Sequence, residues 1–203
     1  MRTRLSLTLL AFATAALVAA SNAAAVGLAG HHAVSTPRPA AASTPGGALV
    51  ASVTACPQQE SLDAPAAAQE QAMECMVDFA RRQVGLGELT PAAVLQGSAL
   101  EKSADILRCD SFSHFACGRE FSYWIKAAGY TSTPCWRIGE NLAWGTGEYG
   151  SVRSIFLAWM RSPEHRQNIL GEYEETGISL RVGSLNGEGG TRVWAEHFGS
   201  HCN

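Results

Sequence analysis

The sequence predicts an α+β sandwich, with helices in the earlier part of the folded region and antiparallel strands in the later part. Two observations carry this. Apolar residues recur at helical spacing in successive segments and switch to alternation from Ile178 onward. The connection between the alternating runs carries a turn signal, Asn186-Gly187, which suits a hairpin rather than the helical crossover of a parallel sheet.

The chain opens with Arg2 and Arg4, an Ala/Leu-rich run from Leu5 to Ala20, and small residues from Ser21 to Ala25. Charged start, apolar middle and small-residue end form the order of an export signal, expected over residues 1–25. The apolar run is short and Ala-rich for a membrane span, so no transmembrane anchor is expected after cleavage. Residues 26–55 are rich in Ala, Pro, Thr, Ser and Gly, and read as a flexible linker with too little apolar surface to offset its ordering entropy. The paired His31-His32 falls inside it. Residues 56–203 fit one domain.

All six cysteines lie in that domain. An even count in an exported chain points to disulfides, and no Cys-x-x-Cys pair supports a zinc ribbon or a thioredoxin-like site. Spacing leaves the pairing open; nearness and chain ends favour Cys56–Cys75, Cys109–Cys117 and Cys135–Cys202. The formal net charge is −3 and the basic residues are scattered. Nucleic acid, which asks for a basic stripe, is therefore not an expected partner. Arg81-Arg82 is the one basic pair in the domain and reads as a solvated helix face.

Taken in order, Met73, Met76, Val77, Ala80 and Val84 mark a helix from Gln69 to Val84, stopped by Gly85. Thr90-Pro91 reads as the N-cap and first position of a helix running to about Arg108, with Leu95, Ala99, Leu100, Ala104 and Leu107 inward. A polar-aromatic loop spans Cys109 to Cys117. Phe121, Trp124, Ile125 and Ala128 mark a third helix ended by Gly129, and residues from Ile138 to Trp144 turn strand-like. Val152, Ile155, Phe156 and Trp159 mark a fourth helix from Ser151 to Arg161. Ile178, Leu180 and Val182 alternate, as does the run from Val193 to Phe198. Glu188-Gly189-Gly190 predicts that the intervening loop is longer than Asn186-Gly187 alone.

Chemistry concentrates at three side chains. His165 follows the Ser162-Pro163 break, where proline cannot continue the preceding helix and a side chain is held on a defined corner. His114 sits in the loop between Cys109 and Cys117. Glu140 heads an otherwise apolar strand, in Gly139-Glu140-Asn141-Leu142-Ala143. Two imidazoles and a carboxylate are a donor set for a divalent ion with open positions, although spacing alone does not bring them together. No Gly-x-Ser-x-Gly elbow or His-Glu-x-x-His helix is present.

Phe112-Ser113-His114, Gly139-Glu140-Asn141-Leu142-Ala143 and the stretch from Trp159 to Leu170 resemble, in that order, motifs of the CAP superfamily. These are the cysteine-rich secretory, antigen and pathogenesis-related proteins, with an SCP-like domain, here in the form of bacterial secreted members. Asp78-x-x-Arg81 with Gly85-Leu86 resembles that family's opening helix, where Asn often stands in place of Asp78. Trp194-Ala195-Glu196-His197-Phe198-Gly199 resembles its closing strand. The resemblance implies a three-layer α-β-α sandwich with a mostly antiparallel central sheet and a central cleft. It places His114, Glu140 and His165 in that cleft, with Asn141 and Ser162 beside them. In some members the cleft holds zinc or another divalent cation. The fuller set of many eukaryotic members has a second Glu where this chain has Ser162, so the implied set is reduced to three ligands at most. The resemblance further implies a secreted, monomeric protein that binds a lipid or sterol, a cell-envelope component or another extracellular protein. The alternative is a metal-dependent hydrolase or protease using the same cleft. A buried polar network that merely orders the cleft is the third reading.

Overall fold

The computed structural model describes residues 49–202. The expected export signal and most of the expected linker, with His31-His32, lie outside the described residues. The packed body begins before Cys56, where the linker was expected to end. Ala51 is fully buried, and Leu49 and Val50 pack against the core beside it. Gln59 ties this segment down by donating to the Ser52 and Cys56 carbonyls.

Helix α1 runs Ala66–Gln83, and α2 runs Ala93–Arg108. The short α3 spans Tyr123–Ala127, with Gly129 beyond it at φ 84°, a left-handed backbone that suits glycine. Strand β2 is Trp136–Gly145, followed by α4, Val152–Arg161, and α5, Pro163–Ile169. Strands β3, Glu175–Leu185, and β4, Glu188–His201, close the fold. Asn186 at φ 53° and Gly187 at φ 80° form a two-residue turn, and Leu185 pairs with Glu188. The hairpin is thus tighter than the glycines after it suggest, because Gly189 and Gly190 belong to the strand.

The sheet order is β1-β3-β4-β2, antiparallel except for β1, which is Thr90–Pro91. That strand corrects the expected helix cap. The Thr90 and Ala92 N–H groups donate to the Glu174 and Thr176 carbonyls, which leaves Pro91, with no N–H to give, at a position that needs none. Helix α2 therefore begins at Ala93.

The two sheet faces follow strand parity. Ile178, Leu180, Trp194 and Phe198 point to one side and pack with Met73, Met76, Ile155, Phe156, Trp159 and Ile169 from α1, α4 and α5. Leu142, Val193 and Ala195 point to the other, against Ala99 and Ile106 of α2. The result is three layers, α-β-α. Gly177 lets α2 lie directly on β3, since a Cβ there would stand 2.0 Å from the Gln96 nitrogen. On α2 itself the inward face is more polar than the apolar stripe predicts. Ser98, Lys102, Ser103 and Asp105 are buried, while Leu100 is exposed.

All three expected disulfides form: Cys56–Cys75, Cys109–Cys117 and Cys135–Cys202. The second closes the His114 loop onto the end of α2. Arg81, expected on a solvated face, is buried. Its guanidinium donates to the Gly87, Ile169, Gly171 and Tyr173 carbonyls, fastening α1 to the turn that leads into β3. No helix among the described residues is long and apolar enough to cross a membrane.

Candidate functional site

Strand β2 is an edge strand, and its outward carbonyls need partners. Three side chains supply them. Tyr173 Oη donates to Ile138 O at 3.4 Å, Asn168 Nδ2 to Glu140 O at 3.2 Å, and Trp159 Nε1 to Leu142 O at 3.1 Å. The edge is thereby fastened to α4, α5 and the segment before β3. Asn141 adds to this, donating from Nδ2 to His165 O and accepting from Asn168 Nδ2 through Oδ1. Asn141 is fully buried, so its part in the site is to hold α5 against the strand.

Pro163 does end α4, but it also opens α5 as its first residue, a position that needs no N–H. Ser162 is the extended residue between the two helices, with Arg166 N donating to its carbonyl. His165 therefore sits in the first turn of a new helix. Its Nδ1 lies 2.7 Å from Ser162 Oγ.

Glu140 projects to the α2 side of β2, as does Leu142. Its carboxylate is buried, with only 1% of the side chain exposed, and both oxygens are engaged. Oε1 lies 2.6 Å from His114 Nδ1, and Oε2 lies 2.9 Å from His197 Nε2. Lys102 reaches in from α2, its ammonium 3.8 Å from Oε1 and donating to His114 O at 2.6 Å. Burial alone would raise the Glu140 pKa. The bonds from His114 and His197 and the charge of Lys102 outweigh it and leave the pKa below the ordinary value. Burial lowers the Lys102 pKa, opposed by Glu140.

His114 is half exposed, its side chain at 52%. His165 is partly buried, and burial, with nearby His114 as a second cause, lowers its pKa. His114 lies on the α2 side of the sheet, bonded to Glu140, and His165 on α5, in the other layer. The structure brings His114 and Glu140 into direct contact and places His165, Asn141 and Ser162 on the adjoining α5 side. Around His114 the surface is aromatic. Phe112 meets Trp144 edge-on at 6.4 Å, and Phe115 is exposed. A groove of about 340 Å³ lies beside the site, between the end of α4 and α5, lined by Met160, Arg161, Pro163, Arg166, Gln167 and Leu170. Its walls include neither histidine.

His114, Glu140 and His165 do not fit a three-ligand zinc centre. Glu140 has both oxygens committed to imidazoles and an ammonium beside it, which leaves two ring nitrogens where such centres use three protein ligands. Among the described residues no group of three or more His, Cys, Asp or Glu is placed to hold a metal ion.

Three buried residues of the network were not among the site residues expected from the sequence: Ser98, Lys102 and His197, the last quoted only as part of the closing-strand motif. A signal existed for that last residue. His197 shares strand parity with Val193 and Ala195, so a polar group was due on a buried face.

A disulfide-fastened α-β-α sandwich with a buried, histidine-bonded carboxylate on its edge strand defines the class of protein. The chain belongs to the cysteine-rich secretory protein family, CAP, whose profile matches residues 76–198. No curated protein matches it. Among solved structures it resembles an outer surface protein from Borrelia burgdorferi, with a TM-score of 0.52 and 17% identity over 64% of this chain and 90% of that one. It also resembles an extracellular protein containing an SCP domain from Bacillus anthracis, with a TM-score of 0.50 and 17% identity over 66% of this chain and 40% of that one. At such identity the likeness shows the fold.

Proposed function

We propose that this CAP domain works outside the cell by binding a ligand at the His114–His165 site. The ligand is a lipid or sterol, a cell-envelope component or another extracellular protein. One observation carries the reading. Each imidazole has its Nδ1 fastened to a protein group and, among the described residues, no hydrogen bond at Nε2, on an accessible surface beside the Phe112–Trp144 pair. Side chains held this way are pre-organised for a partner. The three disulfides and the export-type leader in the sequence support the location.

The hydrolase alternative needs an activated water or nucleophile and donors for a developing oxyanion. Glu140 is occupied, and the Ser162–His165 contact is a local one across a helix start, so binding is the reading we adopt. No step through a metal is part of it.

Cosedimentation of the secreted chain with phospholipid vesicles and with purified cell-wall polymer tests the proposal. Saturable binding to one of them is expected, weakened about fivefold by His114→Ala and by His165→Ala, the worth of a hydrogen bond of about 1 kcal/mol. Binding unchanged in both variants would move the ligand elsewhere on the domain. Turnover abolished by a chelator and by Glu140→Ala would favour the hydrolase instead. Calorimetric titration of zinc is expected to give no saturable heat; heat lost in both histidine variants would restore the metal.

A further inference from the structure

Behind His114 runs a chain of hydrogen bonds that links three of the motifs quoted above and ends on Ser98, which belongs to none of them. Ser98 Oγ lies 2.7 Å from His197 Nδ1, His197 Nε2 lies 2.9 Å from Glu140 Oε2, and Glu140 Oε1 lies 2.6 Å from His114 Nδ1. Ser98, His197 and Glu140 are buried, and only His114 reaches the surface.

The donors can be assigned from the inventory of each group. The Ser98 hydroxyl has one proton and two acceptors in range, His197 Nδ1 and, at 2.9 Å, Leu95 O. Leu95 O lies inside α2, where the helix supplies its own N–H, whereas His197 Nδ1 has no other partner among the described residues. Ser98 Oγ therefore engages His197 Nδ1, and the ionised Glu140, which can only accept, takes its bond from His197 Nε2–H. Glu140, held ionised, only accepts, so His114 donates from Nδ1–H and its Nε2 carries a lone pair. On the other side of the site, Ser162 Oγ lies 3.3 Å from Glu164 Oε2, which also only accepts. Ser162 donates there and accepts from His165 Nδ1–H, so His165 Nε2 is a lone pair too.

We infer that Ser98 and His197 are positioning residues that hold Glu140 behind His114 and fix its tautomer, so that His114 and His165 together present two ring-nitrogen acceptors. The complementary ligand group is then a hydrogen-bond donor, a hydroxyl or an N–H, and not a carboxylate or phosphate. That ligand class rests on the binding reading above; the tautomer assignment does not.

Ring ¹⁵N shifts of the histidine-labelled full chain, recorded at mildly alkaline pH without ligand, test the inference. The wild type is expected to show a protonated, pyrrole-type Nδ1 and an unprotonated, pyridine-type Nε2 at both His114 and His165. His197→Phe is expected to turn the single His114 form into a mixture of tautomers, with His165 unchanged as the internal control. His197→Gln restores the single form, because its amide can donate to Glu140 and accept from Ser98. Ser98→Ala shifts His114 in the same direction as His197→Phe, to a smaller extent. An Nε2–H form of His114 in the wild type overturns the inference, and so does an unchanged His114 tautomer in a folded His197→Phe domain. Neither readout depends on finding the ligand, so failure of the binding proposal and failure of this inference are separable.

Discussion

Glu140→Ala is expected to destabilise the domain by about 3–5 kcal/mol, the cost of removing one partner from a buried ion pair. The side chains of Glu140, Lys102 and His197 are each at most 2% exposed, so what remains after the change has no access to water. Lys102 keeps its bond to His114 O but loses its counter-charge, and His197 Nε2 loses its acceptor. Glu140→Gln keeps the shape and one acceptor, and is expected to cost less than half as much. Urea unfolding checks both as a fall in the midpoint at constant slope. The effect depends on pH in a defined direction. The Glu140 pKa lies below its ordinary 4.5 in the folded state, so its contribution is present above that value and is lost as the pH falls below it. The gap between wild type and Glu140→Gln should therefore narrow in acid. A Glu140→Ala variant as stable as the wild type would mean that the carboxylate does not hold this network together.

The residues that were legible in the sequence are those whose partners are set by local geometry. The α4 stripe of Val152, Ile155, Phe156 and Trp159 is buried to the last residue, because a helix turns its face every few residues regardless of what covers it. Cys109 and Cys117 are close enough in the chain for nearness to pair them. His114, Glu140 and His165 stood out by their local settings, but only the family motifs brought them together; parity shows which way Glu140 points but not what it meets. The residues that were missed depend on pairing between distant segments. His197 meets Glu140 because β2 and β4 register those two residues opposite each other, 57 positions apart in sequence. Lys102 and Arg81 look like solvated charges until a carboxylate or a row of carbonyls is folded over them. Thr90-Pro91 carries the local signature of a helix start, and the Glu174–Thr176 backbone overrides it. Parity could have flagged His197, but nothing short of the strand register could have named its partner.

Glu196→Gln is expected to stabilise the domain at pH 8 and to leave it nearly unchanged at pH 5. Glu196 is fully buried on the opposite face of β4 from His197. Its Oε1 accepts from Thr176 Oγ1 at 3.2 Å, and its Oε2 has no partner among the described residues. Burial is the main cause that pushes its pKa up to about 8, with Asp78 and Glu74 of α1 adding to the rise. Arg81 is the cation that opposes them, but its donors go to four backbone carbonyls rather than to Glu196. In the unfolded chain the same carboxyl ionises near 4.5. Between the two values the folded state holds a proton that the unfolded state has released, so stability falls as the pH rises, by about 1.4 kcal/mol per unit for this group alone. The decline ends once the pH passes the folded value. A glutamine has no proton to lose and nearly the same shape, so its stability should not follow that decline. Melting temperatures at pH 5 and pH 8 decide the matter. The expected result is a variant that matches the wild type at the lower pH and exceeds it by several degrees at the higher. Parallel profiles would mean that Glu196 is ionised in the folded state, with a partner for Oε2 such as a bound water.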